Sequence, residues 1–115
     1  MEEIKNISVY AIPGVVIREL NFYSIVNLVC KYYDLPVEKV KGKLRKREFV
    51  LARHICAYFL RLHTNATLEN IGDFFGGRDH TTVIHSVATI KDFIHIKDDI
   101  ITRDIKAINK IFINQ

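Results

Sequence analysis

Apolar residues recur through most of the chain at the three- and four-residue spacings of an α-helix. The first such stretch starts at Asn21 and ends before Pro36, because proline disfavours the helical conformation in the residue that precedes it. Pro36 then suits the first turn of a short helix over residues 37–40. A long helix is expected from about Arg47 to His63. Its predicted buried stripe consists of Phe49, Ala52, Ile55, Cys56, Phe59 and Leu60.

Two further helices are predicted on either side of a glycine pair. Thr67 is a good N-cap for a short helix over residues 68–75. Gly76-Gly77 ends that helix and permits a tight turn with positive φ. Asp79 is the expected N-cap of the next helix, which runs to about residue 92. The predicted buried face of that helix consists of Val83, Val87, Ile90 and Ile94.

The two ends of the chain complete the predicted fold. A last helix begins at Asp98-Asp99 and buries Ile101, Ile105, Ile108 and Phe112. Its apolar stripe is widened by Ile100, Ile111 and Ile113, which leaves apolar surface for a homo-oligomer or a protein partner. Residues 1–20, with a turn at Pro13-Gly14, predict a short N-terminal arm or hairpin. The predicted fold is therefore all-α, a helical bundle over residues 21–115 preceded by this arm.

Composition places this bundle among ordinary folded domains. The chain has 115 residues, of which 49% are hydrophobic, so one domain with a single core is expected. Cys30 and Cys56 lie in apolar helical stretches and are expected to be reduced core residues. No apolar run reaches the length of a membrane span, and the acidic start Met1-Glu2-Glu3 is unlike a signal peptide. We therefore expect a cytoplasmic protein without a membrane partner.

The positive charge of the chain is concentrated in one segment. Residues 39–53 hold seven Lys or Arg and one acid, a net charge of +6, whereas the whole chain carries +4. The rest of the chain is therefore slightly acidic, and a polarised charge of this kind suits a polyanion such as DNA. The five histidines lack the spacing of a metal site, and neither a metal nor a cofactor is expected.

Two helices joined by a glycine-containing turn are typical of a helix-turn-helix, whose second helix enters the major groove of DNA with its first residues. Here those residues have side chains suited to base edges. Asp79 can accept from cytosine N4, His80 can donate or accept at guanine, and the Thr81 methyl group can pack on a thymine methyl. The sequence therefore predicts double-stranded DNA as the partner.

The run from Asn70 to His85, NIGDFFGGRDHTTVIH, closely resembles the signature of the C-terminal DNA-binding domain of the bacterial replication initiator DnaA. A looser similarity extends over residues 22–112. The resemblance implies base contacts in the major groove for Asp79, His80 and Thr81, and minor-groove insertion of Arg45. It implies phosphate contacts for Arg53, Arg61, Thr82 and His85. Phosphate contacts are also predicted for His54 on the long helix and for Lys43 and Arg47 in the basic segment.

The chain also departs from the family pattern. His54 stands where the family usually has glutamine, and Glu69 stands where it usually has proline or an apolar residue. Glu69 could accept from cytosine or repel phosphate, so the base sequence recognised can differ from the usual nine-base box. No Gly-x4-Gly-Lys-[Ser/Thr] loop is present, and we expect a stand-alone, non-enzymatic protein that does not bind ATP in that way.

The predicted function is sequence-specific binding of double-stranded DNA, in replication initiation or its regulation, or in transcription control, near the nucleoid. An alternative is a protein-interaction adaptor that kept the fold and lost specific DNA binding.

Overall fold

The computed structural model describes residues 21–113, so the arm or hairpin predicted for residues 1–20 lies outside the described residues. Within this range every regular element is helical, which confirms the all-α prediction. The helices are α1 (Phe22–Tyr32), α2 (Val37–Lys41), α3 (Arg47–His63), α4 (Leu68–Phe74), α5 (His80–His95) and α6 (Asp99–Ile113). None of these helices combines the length and the apolar character that crossing a membrane requires.

Side-chain caps fix where α4, α5 and α6 begin. Thr67 accepts from the backbone N–H of Asn70 while the Asn70 side chain accepts from the N–H of Thr67, a capping box that starts α4. Asp79 accepts from the backbone N–H of Thr82 and starts α5 as predicted. Asp98 accepts from the N–H of Ile101 at 2.9 Å and caps α6. Local chemistry in the sequence therefore sets the start of each helix that surrounds the glycine pair.

The central helix is α3, which packs against α1, α2, α4 and most extensively α5. All six residues of its predicted stripe are buried, and Ala57 is buried with them. Cys30 and Cys56 are buried free thiols in this core, as expected. Apolar burial on every long helix is the main source of stability, and it leaves the outer face of α5 exposed.

A buried carboxylate connects α6 to the end of α1. Asp104 is 3% exposed, and its two oxygens accept from the hydroxyls of Tyr32 at 2.9 Å and Tyr33 at 2.8 Å. Arg103, on the solvent side, completes an ion pair with Asp104 at 3.2 Å. Burial, followed by the bond to Asp104, raises the pKa of the Tyr33 hydroxyl well above its usual range. These bonds fix α6 to the end of α1.

The buried imidazole of His63 makes the stability of the folded protein depend on pH. It stacks on Phe59 with ring centroids 5.5 Å apart, and burial lowers its pKa to about 4 against an opposing hydrogen bond with Asn109. The unfolded chain protonates this histidine near pH 6.5, its ordinary pKa. The folded state excludes that proton, so stability present at neutral pH is lost as the pH falls from about 6.5 towards 4. After discounting for solvent screening, we expect a loss of about 1–2 kcal/mol.

Urea denaturation at about pH 7 and about pH 4.5 measures this loss. His63→Phe keeps an aromatic ring against Phe59 and removes the titrating group, so its stability should fall less over the same interval. An equal fall in both proteins would show that other groups cause the acid sensitivity.

Candidate nucleic-acid interface

The turn between α4 and α5 depends on three glycines. At Gly72 the returning chain crosses so closely that an added Cβ would lie 2.0 Å from the carbonyl oxygen of Arg78. The N–H of Arg78 donates to the Gly72 carbonyl at 2.9 Å and fixes the crossing. Gly76 and Gly77 have φ angles of +83° and +74°, which residues with a Cβ rarely adopt. The glycine pair was predicted, whereas the need for Gly72 was not. The available signal was that a glycine inside a helical pattern is unfavourable relative to alanine, which points to a packing reason but not to its partner.

This turn presents the α5 tip, residues 79–82, to solvent. Asp79, His80, Thr81 and Thr82 are all exposed. One oxygen of the Asp79 carboxylate accepts from the Thr82 N–H at 3.0 Å and from its hydroxyl at 3.2 Å. The bond from the Thr82 N–H, followed by the bond from the hydroxyl, lowers the pKa of Asp79. The carboxylate therefore stays ionised at the start of α5, where it can accept a hydrogen bond from a base.

Arg53 differs from its predicted position. The sequence placed it on a polar helix edge and the family resemblance gave it a phosphate contact, but the side chain is 8% exposed. Its guanidinium donates to three backbone carbonyl oxygens, those of Val40, Gly42 and Leu44. The phosphate contact of Arg53 stays a prediction. Its three bonds position the basic loop, which we define as residues 42–46. A repeat of 3.6 residues cannot reveal this, because the acceptors belong to another segment.

Arg78 holds the same loop from the other side. Its Nη2 donates to the Gly42 carbonyl at 3.0 Å, and its Nη1 donates to the Phe75 carbonyl. Burial lowers the pKa of both arginines, and the charge of Arg78 lowers the pKa of Arg53 further. The buried guanidinium of Arg53 and the half-buried one of Arg78 thus tie the basic loop to the helix-turn-helix.

The basic loop therefore lies beside the turn. Lys43 and Arg45 line one cleft together with Gly76, Gly77 and Arg78. Lys43, Arg45 and Arg47 are exposed. The structure thus brings the predicted minor-groove arginine close to the turn that presents the predicted base-reading residues. A single duplex can meet both, since the major and minor grooves of DNA alternate along one side.

The remaining predicted residues lie around this surface in different settings. His54 Nδ1 is 2.8 Å from the Ser86 hydroxyl, which joins α3 to α5. Burial, and then the charge of Arg53, lowers the pKa of His54. Arg61 is exposed and donates to the Ala66 carbonyl at 2.9 Å. His85 and Glu69 are exposed on α5 and in the first turn of α4.

Comparison of the sequence with known families identifies the family of this chain. The family model described as the bacterial dnaA protein helix-turn-helix matches residues 22–90, from the start of α1 into α5. The chain belongs to this family. Membership of this family does not favour the alternative function, a protein-interaction adaptor without specific DNA binding.

Full-length relatives are named chromosomal replication initiator protein DnaA. The one from Bacteroides fragilis is 43% identical over 68 residues, which cover 59% of this chain and 14% of that protein. The one from Gloeothece citriformis is 41% identical over 83 residues, which cover 72% of this chain and 18% of that protein. The one from Enterococcus faecalis is 38% identical over 94 residues, which cover 82% of this chain and 21% of that protein. This DnaA-type chain therefore spans about a fifth or less of the length of these relatives.

Proposed function

We propose that this DnaA-type domain binds double-stranded DNA at specific sequences, with α5 in the major groove and the basic loop at the minor groove. The observation that carries the proposal is that the buried Arg53 and the half-buried Arg78 both donate to the Gly42 carbonyl and fix the basic loop beside the α5 turn. Because the relatives are named replication initiators, the proposed setting is replication initiation or its control, at the nucleoid. The matched segment is the helix-turn-helix alone, so the proposed role is binding and not catalysis.

The proposed contacts divide into bases and phosphates. Base contacts are assigned to Asp79, His80, Thr81, Arg45 and Glu69. Phosphate contacts are assigned to exposed or half-exposed donors around them: Lys43, Arg47, His54, Arg61, Thr82 and His85. Only cations release counterions, and these are Lys43, Arg47 and Arg61 together with Arg45 in the minor groove. A plot of log affinity against log salt should therefore have a slope of about −3 to −4. Selection from random duplexes, followed by binding titrations at several salt concentrations, tests the proposal.

His80→Ala is expected to weaken binding to the selected duplex by about 1–3 kcal/mol and to weaken binding to scrambled DNA much less. The reason is that base contacts carry sequence information, whereas phosphate contacts act on any duplex. His95→Ala is the matched control, because His95 is an exposed histidine at the far end of the same helix. Fluorescence anisotropy on both duplexes measures the difference. If His80→Ala kept the full preference for the selected duplex, the base-reading role of the α5 tip would be refuted.

A further inference from the structure

One large apolar side chain on the outer face of α5 has no role in the fold. Ile84 is 49% exposed, although the neighbouring Val83 is 4% exposed and packs in the core. The buried side of α5 is formed by Val83, Ser86 and Ile90. Ile84 therefore points away from the bundle, and its exposure calls for an explanation outside the fold.

Helical geometry places Ile84 among the proposed base-reading residues. At about 100° per residue, Ile84 lies about 40° around the helix from His80 and about 60° from Thr81, between the two. At about 1.5 Å per residue, it is about one turn further along the axis. A duplex that meets the α5 tip in its major groove would therefore meet Ile84 as well.

We propose that Ile84 is a specificity-determining residue that packs against the 5-methyl group of a thymine in the major groove. This inference rests on the proposed function, since it needs α5 in the groove. The C5-methyl of thymine is the apolar group that base pairs present there, and side chains without hydrogen-bonding groups can distinguish bases only through it. The contact would favour a T·A pair about one helical turn of α5 beyond the base that His80 meets.

Uracil substitution tests this contact, because uracil lacks only the methyl group and keeps the pairing edge. In the duplex obtained by selection, each thymine is replaced by uracil in turn and the affinity is measured. One replacement should weaken wild-type binding about fourfold, the value expected for one buried methyl group. Ile84→Ala should bind the parent duplex at least about fourfold more weakly and should be insensitive to that same replacement. Ile84 is exposed, so its replacement leaves the core intact, and circular dichroism verifies folding.

Two further variants separate the possible sources of the effect. Ile100→Ala is the matched control, since Ile100 is 58% exposed but lies in α6; it should keep both the affinity and the sensitivity to uracil. Thr81→Ser removes the other methyl group near this position and keeps the hydroxyl. If the uracil effect persists in Ile84→Ala, or vanishes only in Thr81→Ser, the inference is overturned while the proposed function stands. If selection yields no preferred duplex, the proposed function fails and this inference fails with it.

Discussion

Gly72→Ala is expected to destabilise the domain by about 3 kcal/mol or more and to abolish selective DNA binding, although alanine is the better helix former. The added Cβ would lie 2.0 Å from the backbone oxygen of Arg78, and that atom cannot move without moving the turn. The hydrogen bond from the Arg78 N–H to the Gly72 carbonyl would be lost with it. Urea denaturation gives the loss of stability, and anisotropy on the selected duplex gives the loss of binding.

Gly77→Ala is the matched control, because it adds the same methyl group five residues along the chain. Its φ of +74° makes alanine unfavourable, but an added Cβ would meet no atom within 4 Å. Only the backbone conformation is penalised there, at about 1–2 kcal/mol. Gly72→Ala should therefore be clearly the less stable variant. Equal stability of the two variants would refute the close approach of the Arg78 carbonyl to Gly72.

Much of the fold was predictable because its determinants are local in sequence. The α3 stripe is buried as the helical period predicts, and the caps at Thr67 and Asp79 start the helices where their side chains predict. The end of α5 was less accurate, since the helix runs to His95 and not to about residue 92. Lys97, with a φ of +58°, lies in the turn that follows. A lysine in this conformation has no sequence signal comparable to glycine, so the end of the helix was hidden.

The candidate site was predictable only where its determinants are local in sequence. The exposure of the α5 tip was predictable, because the tip lies at the start of a helix directly after a glycine turn. The position of Arg53 depends on carbonyl groups of a segment that folds back over α3, and no spacing within α3 encodes them. Ile84 differs from Arg53, because the helical period already leaves it outside the predicted buried face of α5, and the structure adds that it is 49% exposed.

Arg53→Ala is the second variant with a large expected effect. It removes three hydrogen bonds from a buried guanidinium and leaves the Val40 and Leu44 carbonyls without this donor, while Arg78 still donates to Gly42. We expect a loss of about 2–4 kcal/mol in the free energy of unfolding. The basic loop would also lose its fixed position beside the turn, so DNA affinity should fall through Arg45. Arg53→Lys should rescue little, since one ammonium group does not match the planar fork of a guanidinium.

A double-mutant cycle distinguishes this positioning role from a direct phosphate contact. If Arg53 acts by holding the basic loop, Arg45→Ala should cost about 1–3 kcal/mol of binding in the wild-type protein and far less when Arg53 is already alanine. A direct phosphate contact predicts that the two losses add. Arg61 provides the comparison, because it is an exposed arginine two turns further along α3 whose bond is to Ala66 and not to the basic loop. Arg61→Ala and Arg45→Ala should therefore be additive, and additivity in both cycles would show that Arg53 contacts phosphate directly.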